Sequence, residues 1–262
     1  MPASRGAAAL GSVWLAFAMG SEAQAGAWPR ERGEELLIVT GSWHRLESPH
    51  DGADLFKREA AVYGEYGLTR RITLVGRFAV QDFREQIRSG DQAIEITYST
   101  FGGSEAGARV HLAARGRWCA SGQLVATLPS AGENRTNAEH GTGGGDIDLR
   151  ALIGRSIGEA GFAEVQFGLR ERDGEGGSEV RFDTAFGWEL NSQMRLHLQT
   201  YSVWSHELDT ERLREFSGHR AQVSLLASLG RGRYAQFGVM GTVRAHDMAD
   251  ETAATIGIWQ QF

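Results

Sequence analysis

The sequence predicts an all-β fold: an antiparallel, up-and-down transmembrane β-barrel of about twelve strands. Three observations carry that prediction. From Leu37 onwards apolar and polar residues alternate with period two, segment after segment, with no sustained helical period. The segments are joined alternately by short turns and by longer polar loops. The sequence also closes on an alternating strand, in which Ala254, Ile256, Ile258 and Phe262 share one face and Thr255, Gly257, Trp259 and Gln261 the other. A sheet that meets lipid must close on itself, because an open edge would leave backbone groups without hydrogen bonds in hydrocarbon.

The elements follow in order. Leu37 to Trp43 reads as the first strand and Ala60 to Leu68 as the second; after a tight turn at Thr69-Arg70, Ile72 to Phe83 is the third. Arg109 to Arg115, Gly122 to Leu128 and Ile147 to Ile153 are the fourth to sixth. Phe162 to Arg172, Val180 to Trp188 and Met194 to Trp204 are the seventh to ninth, and the tenth runs from about Arg220 to Leu229. Tyr234 to Arg244 and Ala253 to Phe262 complete the set. Connections after the even strands are short. Those after strands 1, 3, 5 and 9 are long: Arg45 to Glu59, Arg84 to Ala108, Pro129 to Gly145, and Ser205 to His219. Short turns at one end and long loops at the other is the arrangement of outer-membrane barrels, whose short turns are periplasmic. An even strand number then places both termini in the periplasm. Ala93 to Phe101 also alternates, so it is either a hairpin arm inside the third loop or an extra strand.

The N-terminus supports the same location. A short segment with Arg5 is followed by a mostly apolar stretch from Ala7 to Gly20 and by Ala23-Gln24-Ala25, a small-x-small cleavage site. Residues 1–25 therefore read as a secretory signal peptide and 26–262 as a single barrel domain. No other stretch approaches the roughly 18 apolar residues of a spanning helix. The mean hydropathy of −0.32 fits a barrel, because only alternate residues face lipid. The lone Cys119 allows no internal disulfide. A net charge of −6 with acid and base interleaved argues against a nucleic-acid partner.

The apolar faces, such as Val165, Phe167 and Leu169 or Val223, Leu225 and Ala227, are assigned to lipid. Trp43, Tyr66, Trp118, Trp188, Trp204 and Phe262 near strand ends suit an interfacial girdle. The opposite faces are highly charged. Arg77, Arg115, Asp148, Arg150, Glu164, Arg170, Arg181, Asp183, Arg195, His197 and Arg244 are the candidates to line the lumen. Same-face neighbours such as Asp148 and Arg150, or Arg181 and Asp183, can brace the wall. Unpaired arginines would form a cationic track for an anionic solute.

Catalytic patterns are sparse. The loop histidines His44, His50, His140, His206, His219 and His246 are candidates for an acid–base cluster, yet no Gly-x-Ser-x-Gly, His-Glu-x-x-His or His-x-Ser-Asn stretch accompanies them. Asp146 and Asp148 follow three glycines but lack the remainder of a calcium loop. No catalytic residue, metal site or cofactor is assigned.

The final strand resembles the terminal strand of bacterial outer-membrane barrels, whose last aromatic is read by the assembly machinery. That resemblance implies a membrane-assembly signal in Phe262, Ile258 and Ile256, with Gln260 departing from the usual pattern. Gly26-Ala27-Trp28-Pro29, the stretch Glu65 to Leu74 and the element Gly145 to Arg150 together resemble a family of uncharacterised, porin-like proteobacterial outer-membrane β-barrel proteins. They are more distantly similar to the barrels of phenol-degradation operons. The resemblance implies a Gram-negative outer-membrane location. Outer-membrane lipid, lipopolysaccharide and the barrel-assembly machinery are the implied partners. The expected function is a narrow porin-like channel or facilitator for a small polar solute, anionic if the arginine track forms. A lipid-modifying hydrolase using loop histidines and a non-conducting structural barrel are the alternatives.

Overall fold

The computed structural model describes residues 26–47, 54–89, 92–102, 104–127, 145–172, 178–206 and 215–262. The expected signal peptide, His50 and His140 lie outside them, as does the side chain of His206. The strands are β1 (Glu35–Glu47), β2 (Asp54–Gly67), β3 (Ile72–Ser89), β4 (Gln92–Phe101), β5 (Glu105–Arg115), β6 (Trp118–Thr127), β7 (Asp146–Ile157), β8 (Gly161–Arg172), β9 (Ser178–Asn191), β10 (Met194–His206), β11 (Ser217–Gly230), β12 (Arg233–His246) and β13 (Asp250–Gln261).

All pairings are antiparallel between neighbours, and β13 returns to pair with β1 from Leu36↔Gln261 to Glu47↔Asp250. The wall is thus closed by twelve strands, with β4 added to it. Phe262 extends the closure by donating its backbone N–H to the Glu35 carbonyl at 3.0 Å. Ile256, Ile258 and Phe262 face outward, while Trp259 turns into the lumen and donates to Gln236 at 2.8 Å. The six aromatics assigned to a girdle are all exposed on the outer face.

Both readings of the segment 93–101 contain part of the arrangement. β3 is long enough to pair twice along one edge: Ile72–Arg77 with β5, and Val80–Ser89 with β4. β4 and β5 run in the same direction and form in effect one wall strand, interrupted at 102–104. The break shifts the register by one residue, as a bulge does. Several long loops of the sequence reading prove to be largely strand. β2 starts at Asp54, and β3 continues to Ser89. Beyond Val80 the outward residues of β3 are Asp82 and Arg84, polar groups that signal water rather than lipid. The alternation therefore loses its apolar half where the strands rise out of the band, and the pattern no longer marks a lipid-facing strand.

At the opposite end the connections are tight: 68–71, 116–117, 158–160, 192–193 and 231–232. Gly116, Gly158 and Gly230 take positive φ there, the conformation hairpin turns require.

Candidate functional site

The lumen is built from the inward residues of every strand, and it is stratified. At the short-turn end it is apolar. Residues 26–34 enter as a strap across the mouth, tied to the end of β2 by Gly33 N–H to Gly67 O at 2.8 Å and Gly67 N–H to Glu34 O at 2.9 Å. Gly67 has no side chain because the strap backbone at Glu31 passes directly over it. The strap then seats Ala27 and Trp28 among Cys119, Leu152 and Phe162. Trp28 meets Phe162 edge-on at 6.1 Å, Phe162 meets His197 at 5.7 Å, and His197 meets Trp259 at 6.0 Å. Leu36 and Leu226 fill in beside Trp259. This inward apolar layer departs from the expectation of a uniformly charged inner face. Its reason is packing: a lumen closed to water needs apolar contact on all sides.

Above it lies a layer of charge. Glu65 receives Arg30 Nε at 2.6 Å, both terminal nitrogens of Arg109 at 3.1 Å and the Tyr63 hydroxyl at 2.7 Å. Glu164 accepts the Ala27 N–H at 2.7 Å, and the Ala27 carbonyl accepts the Ser121 hydroxyl at 2.6 Å. Asp148 is the hub of the next group. It takes Arg150 in a two-pronged bond at 2.9 Å and 2.9 Å, and Arg170 Nε at 3.3 Å; Arg181 lies 3.9 Å away. Arg150 reaches on to Asp183 at 2.9 Å, Arg170 to Glu105 at 3.3 Å and Asp146 at 3.5 Å, and Arg181 to Glu179 at 2.7 Å. Between the strap and this network is a cavity of about 250 Å³, bordered by Arg30, Tyr63, Glu65, Arg109, Asp148 and Arg150.

Nearer the long-loop end Glu59 holds Arg77 at 2.5 Å and Gln81 at 2.6 Å. Leu46, Leu55, Phe83 and Ala249 then form an apolar rim with Tyr98 stacked on Phe83 at 4.9 Å.

The structure thus places Arg77, Asp148, Arg150, Glu164, Arg170, Arg181, Asp183, Arg195 and His197 on the inner face. Arg77, Arg150, Arg170, Arg181 and Arg195 each sit on a carboxylate, Arg195 on Glu189 at 2.9 Å, so they form paired struts in place of an unpaired cationic track. Two assignments need correction. Arg115 pairs in register with the outward Trp118, because a bulge between His111 and Ala113 reverses the parity of β5. Arg244 pairs with His219, whose Nδ1 bonds the outward Ser202 at 3.0 Å, because a bulge beside Arg220 does the same to β12. One inserted residue turns every later side chain to the other face.

A second group was not anticipated. Ser42 Oγ lies 2.7 Å from His44 Nε2, and His44 Nδ1 lies 2.6 Å from Glu251, which also pairs with Arg220 at 3.0 Å. The spacing is that of a hydrolytic triad. However, β1 is laddered on both edges across Ser42 and His44, so its backbone N–H groups are committed to the sheet and none is left to stabilise an oxyanion. Ser42 is also buried. The arrangement ties β1 to β13 and, through Arg220, to β11. Asp146 and Asp148 are likewise taken up by arginines. Of the loop histidines, His219 and His246 line one cleft on the outer wall beside Trp204. His219 bonds Ser202, and no ion pair joins it to a carboxylate among the described residues.

No family model matches the sequence, and no curated protein matches it. Solved structures do. An outer membrane channel from Pseudomonas putida F1 superposes with a TM-score of 0.72 at 13% identity, over 90% of this chain and 98% of that one. The chain folds as an outer-membrane β-barrel. The NanC porin gives a TM-score of 0.57 at 9% identity, over 85% of this chain and 98% of that one. The translocator domain of the autotransporter NalP from Neisseria meningitidis gives 0.57 at 11% identity, over 89% and 90%. The likeness lies in the architecture of the barrel.

Proposed function

We propose that the protein is a narrow, porin-like channel or facilitator for a small polar solute in the outer membrane of a Gram-negative bacterium. The short turns and both termini are periplasmic in this reading. The observation that carries it is the cavity walled by carboxylates and guanidiniums in a twelve-strand lumen, covered below by a non-covalent strap and the apolar wall residues it packs against. A lumen that served solely as a brace would have no need of space between its struts. The likeness to a channel and a porin supports the same reading. Because the arginines are matched by carboxylates, the favoured solute is polar with little net charge, and the reversal potential in asymmetric KCl reports the charge balance of the lumen that this reading rests on. Rare, brief openings with weak ion preference are expected of the wild-type protein in planar bilayers. A barrel that shifts on unheated gels but stays silent at every voltage, even after the strap is displaced, would leave the non-conducting reading instead.

Displacement can be engineered without touching the strap. A methyl group at Gly154 would collide with the Trp28 ring and with Ala27. Gly154→Ala is therefore expected to expel Trp28. Cys119, buried beneath it, is a built-in reporter. A charged thiol reagent should leave the folded wild type largely unmodified and label Gly154→Ala rapidly. Equal labelling of both would show that the strap does not cover the mouth.

The assembly signal is a separate part of the proposal. Phe262→Ala is expected to reduce the amount of heat-modifiable barrel in the outer membrane while Gln260→Ala does not, because Phe262 alone of the two presents an aromatic to the outside. Comparable yields from both variants would remove Phe262 from that role.

A further inference from the structure

The outer wall of β10–β12 carries a cleft. Its lower rungs are apolar, with Leu198, Val223, Phe237 and Val239 exposed. About ten residues of a tilted strand span the hydrocarbon, which places the upper boundary close to Trp204 when counted from Met194. At that level the chemistry changes. The bulge that makes Val243 an extra residue turns Arg244 outward, opposite His219. His219 is fixed by Ser202 at 3.0 Å and by the edge of Trp204 at 5.1 Å. Trp204, His219, Arg244 and His246 line a cleft of about 460 Å³ on the outer surface.

Charge pairing is uneven along the rim. On the β1–β4 side Arg84 is matched by Glu95 at 2.6 Å and Arg45 by Glu47 at 3.3 Å, while Arg58, in register with the outward Trp43, has no ion pair among the described residues. Among the described residues Arg244 has no ion pair. His246 is mostly exposed, with Asp247 at 3.8 Å. An arginine left uncompensated at the edge of a hydrocarbon band is costly unless an anion of the membrane meets it. Its planar fork suits a phosphate, and the imidazole beside it and the Trp204 indole add a donor and an interfacial ring.

We propose that this cleft binds the phosphate of a lipid headgroup in the leaflet at the long-loop rim, with the acyl chains lying down the wall over Val243, Val239 and Val223. The site rests on the reading that the long loops face outward, where phosphorylated glycolipid is the anionic lipid at hand. It does not depend on whether the lumen conducts.

The test is lipid retention by the intact, detergent-purified barrel, followed by native mass spectrometry with added lipid A, its monophosphoryl form or neutral diacylglycerol. Wild-type protein is expected to hold one lipid A in preference to diacylglycerol. Arg244→Ala should weaken that binding by at least about tenfold, the scale of one charge-assisted bond. Arg244→Lys should weaken it less, and Arg84→Ala should match wild type. Equal retention by Arg244→Ala and wild type would overturn the site. Displacement of the lipid by inorganic phosphate at millimolar concentration would overturn the commitment to a lipid. Diacylglycerol held as firmly as lipid A would reduce the cleft to an apolar contact. A heat-modifiability check on each variant separates lost binding from lost fold.

Discussion

Deleting residues 27–33 is expected to convert a channel that is closed nearly all the time into one that is open nearly all the time. Trp28 alone contributes the burial of a large aromatic, worth about 2–3 kcal/mol on the area scale. The Arg30–Glu65 pair is charge-assisted, and the Ala27 N–H bond to Glu164 adds a second polar tie. Even a net hold of about 4 kcal/mol would leave the strap open roughly one part in a thousand of the time. Wild-type traces should therefore show rare, brief openings, and the deletion variant should show long ones of the same or larger amplitude. Trp28→Ala should fall between them. The measurement is single-channel recording at low voltage, with protein inserted from detergent. Identical open probabilities in wild type and deletion would mean that the constriction lies elsewhere, and the apolar rim of Leu46, Leu55 and Phe83 would then be the next position to probe.

The second large effect is expected at Asp148. Its side chain is fully buried, and three guanidiniums converge on it. Asp148→Ala would leave Arg150, Arg170 and Arg181 sharing fewer anions in a confined space. Breaking a buried pair in this way costs about 3–5 kcal/mol, because the remaining charge keeps its desolvation penalty and loses its partner. The heated-gel transition should move to markedly lower temperature. The same substitution adds net positive charge to the lumen, so any residual current should shift towards anions in asymmetric KCl. Asp148→Asn, which preserves shape, should reproduce the selectivity shift with a smaller loss of stability. Arg115→Ala provides the contrast: it faces outward with Trp118 and should leave reversal potential unchanged. If Asp148→Ala keeps wild-type selectivity, the hub lies off the conduction path and serves the wall alone.

These expectations show how far residue patterns carry. Period-two alternation is a local property, so it identified the barrel strands, the shared face of Ile256, Ile258 and Phe262, and the tight turn at Thr69-Arg70. Parity along a strand was also legible, which is why Asp148, Arg150 and Arg181 read as one face. It failed after Ala113 and after Thr242. A bulge has no composition of its own and appears only when two strands are laid side by side. Arg115 and Arg244 were lost to that, and with Arg244 went the outward cleft.

The strap was missed for a related reason. Ala27, Trp28 and Arg30 precede the first strand and carry no periodicity, so nothing in their order says that Trp28 lies against Phe162 or Arg30 against Glu65. His44 meets Glu251 only because β13 closes on β1.

What the sequence by itself determined is the class of fold, the closing strand and which side chains alternate towards lipid, since each depends on neighbours one or two residues away. What the tertiary structure decided is the use of the enclosed space. Folding the wall brings Arg170 and Arg181 to the Asp148–Arg150 pair, sets the strap in the mouth and leaves a cavity between them, because those contacts join residues tens to more than a hundred positions apart.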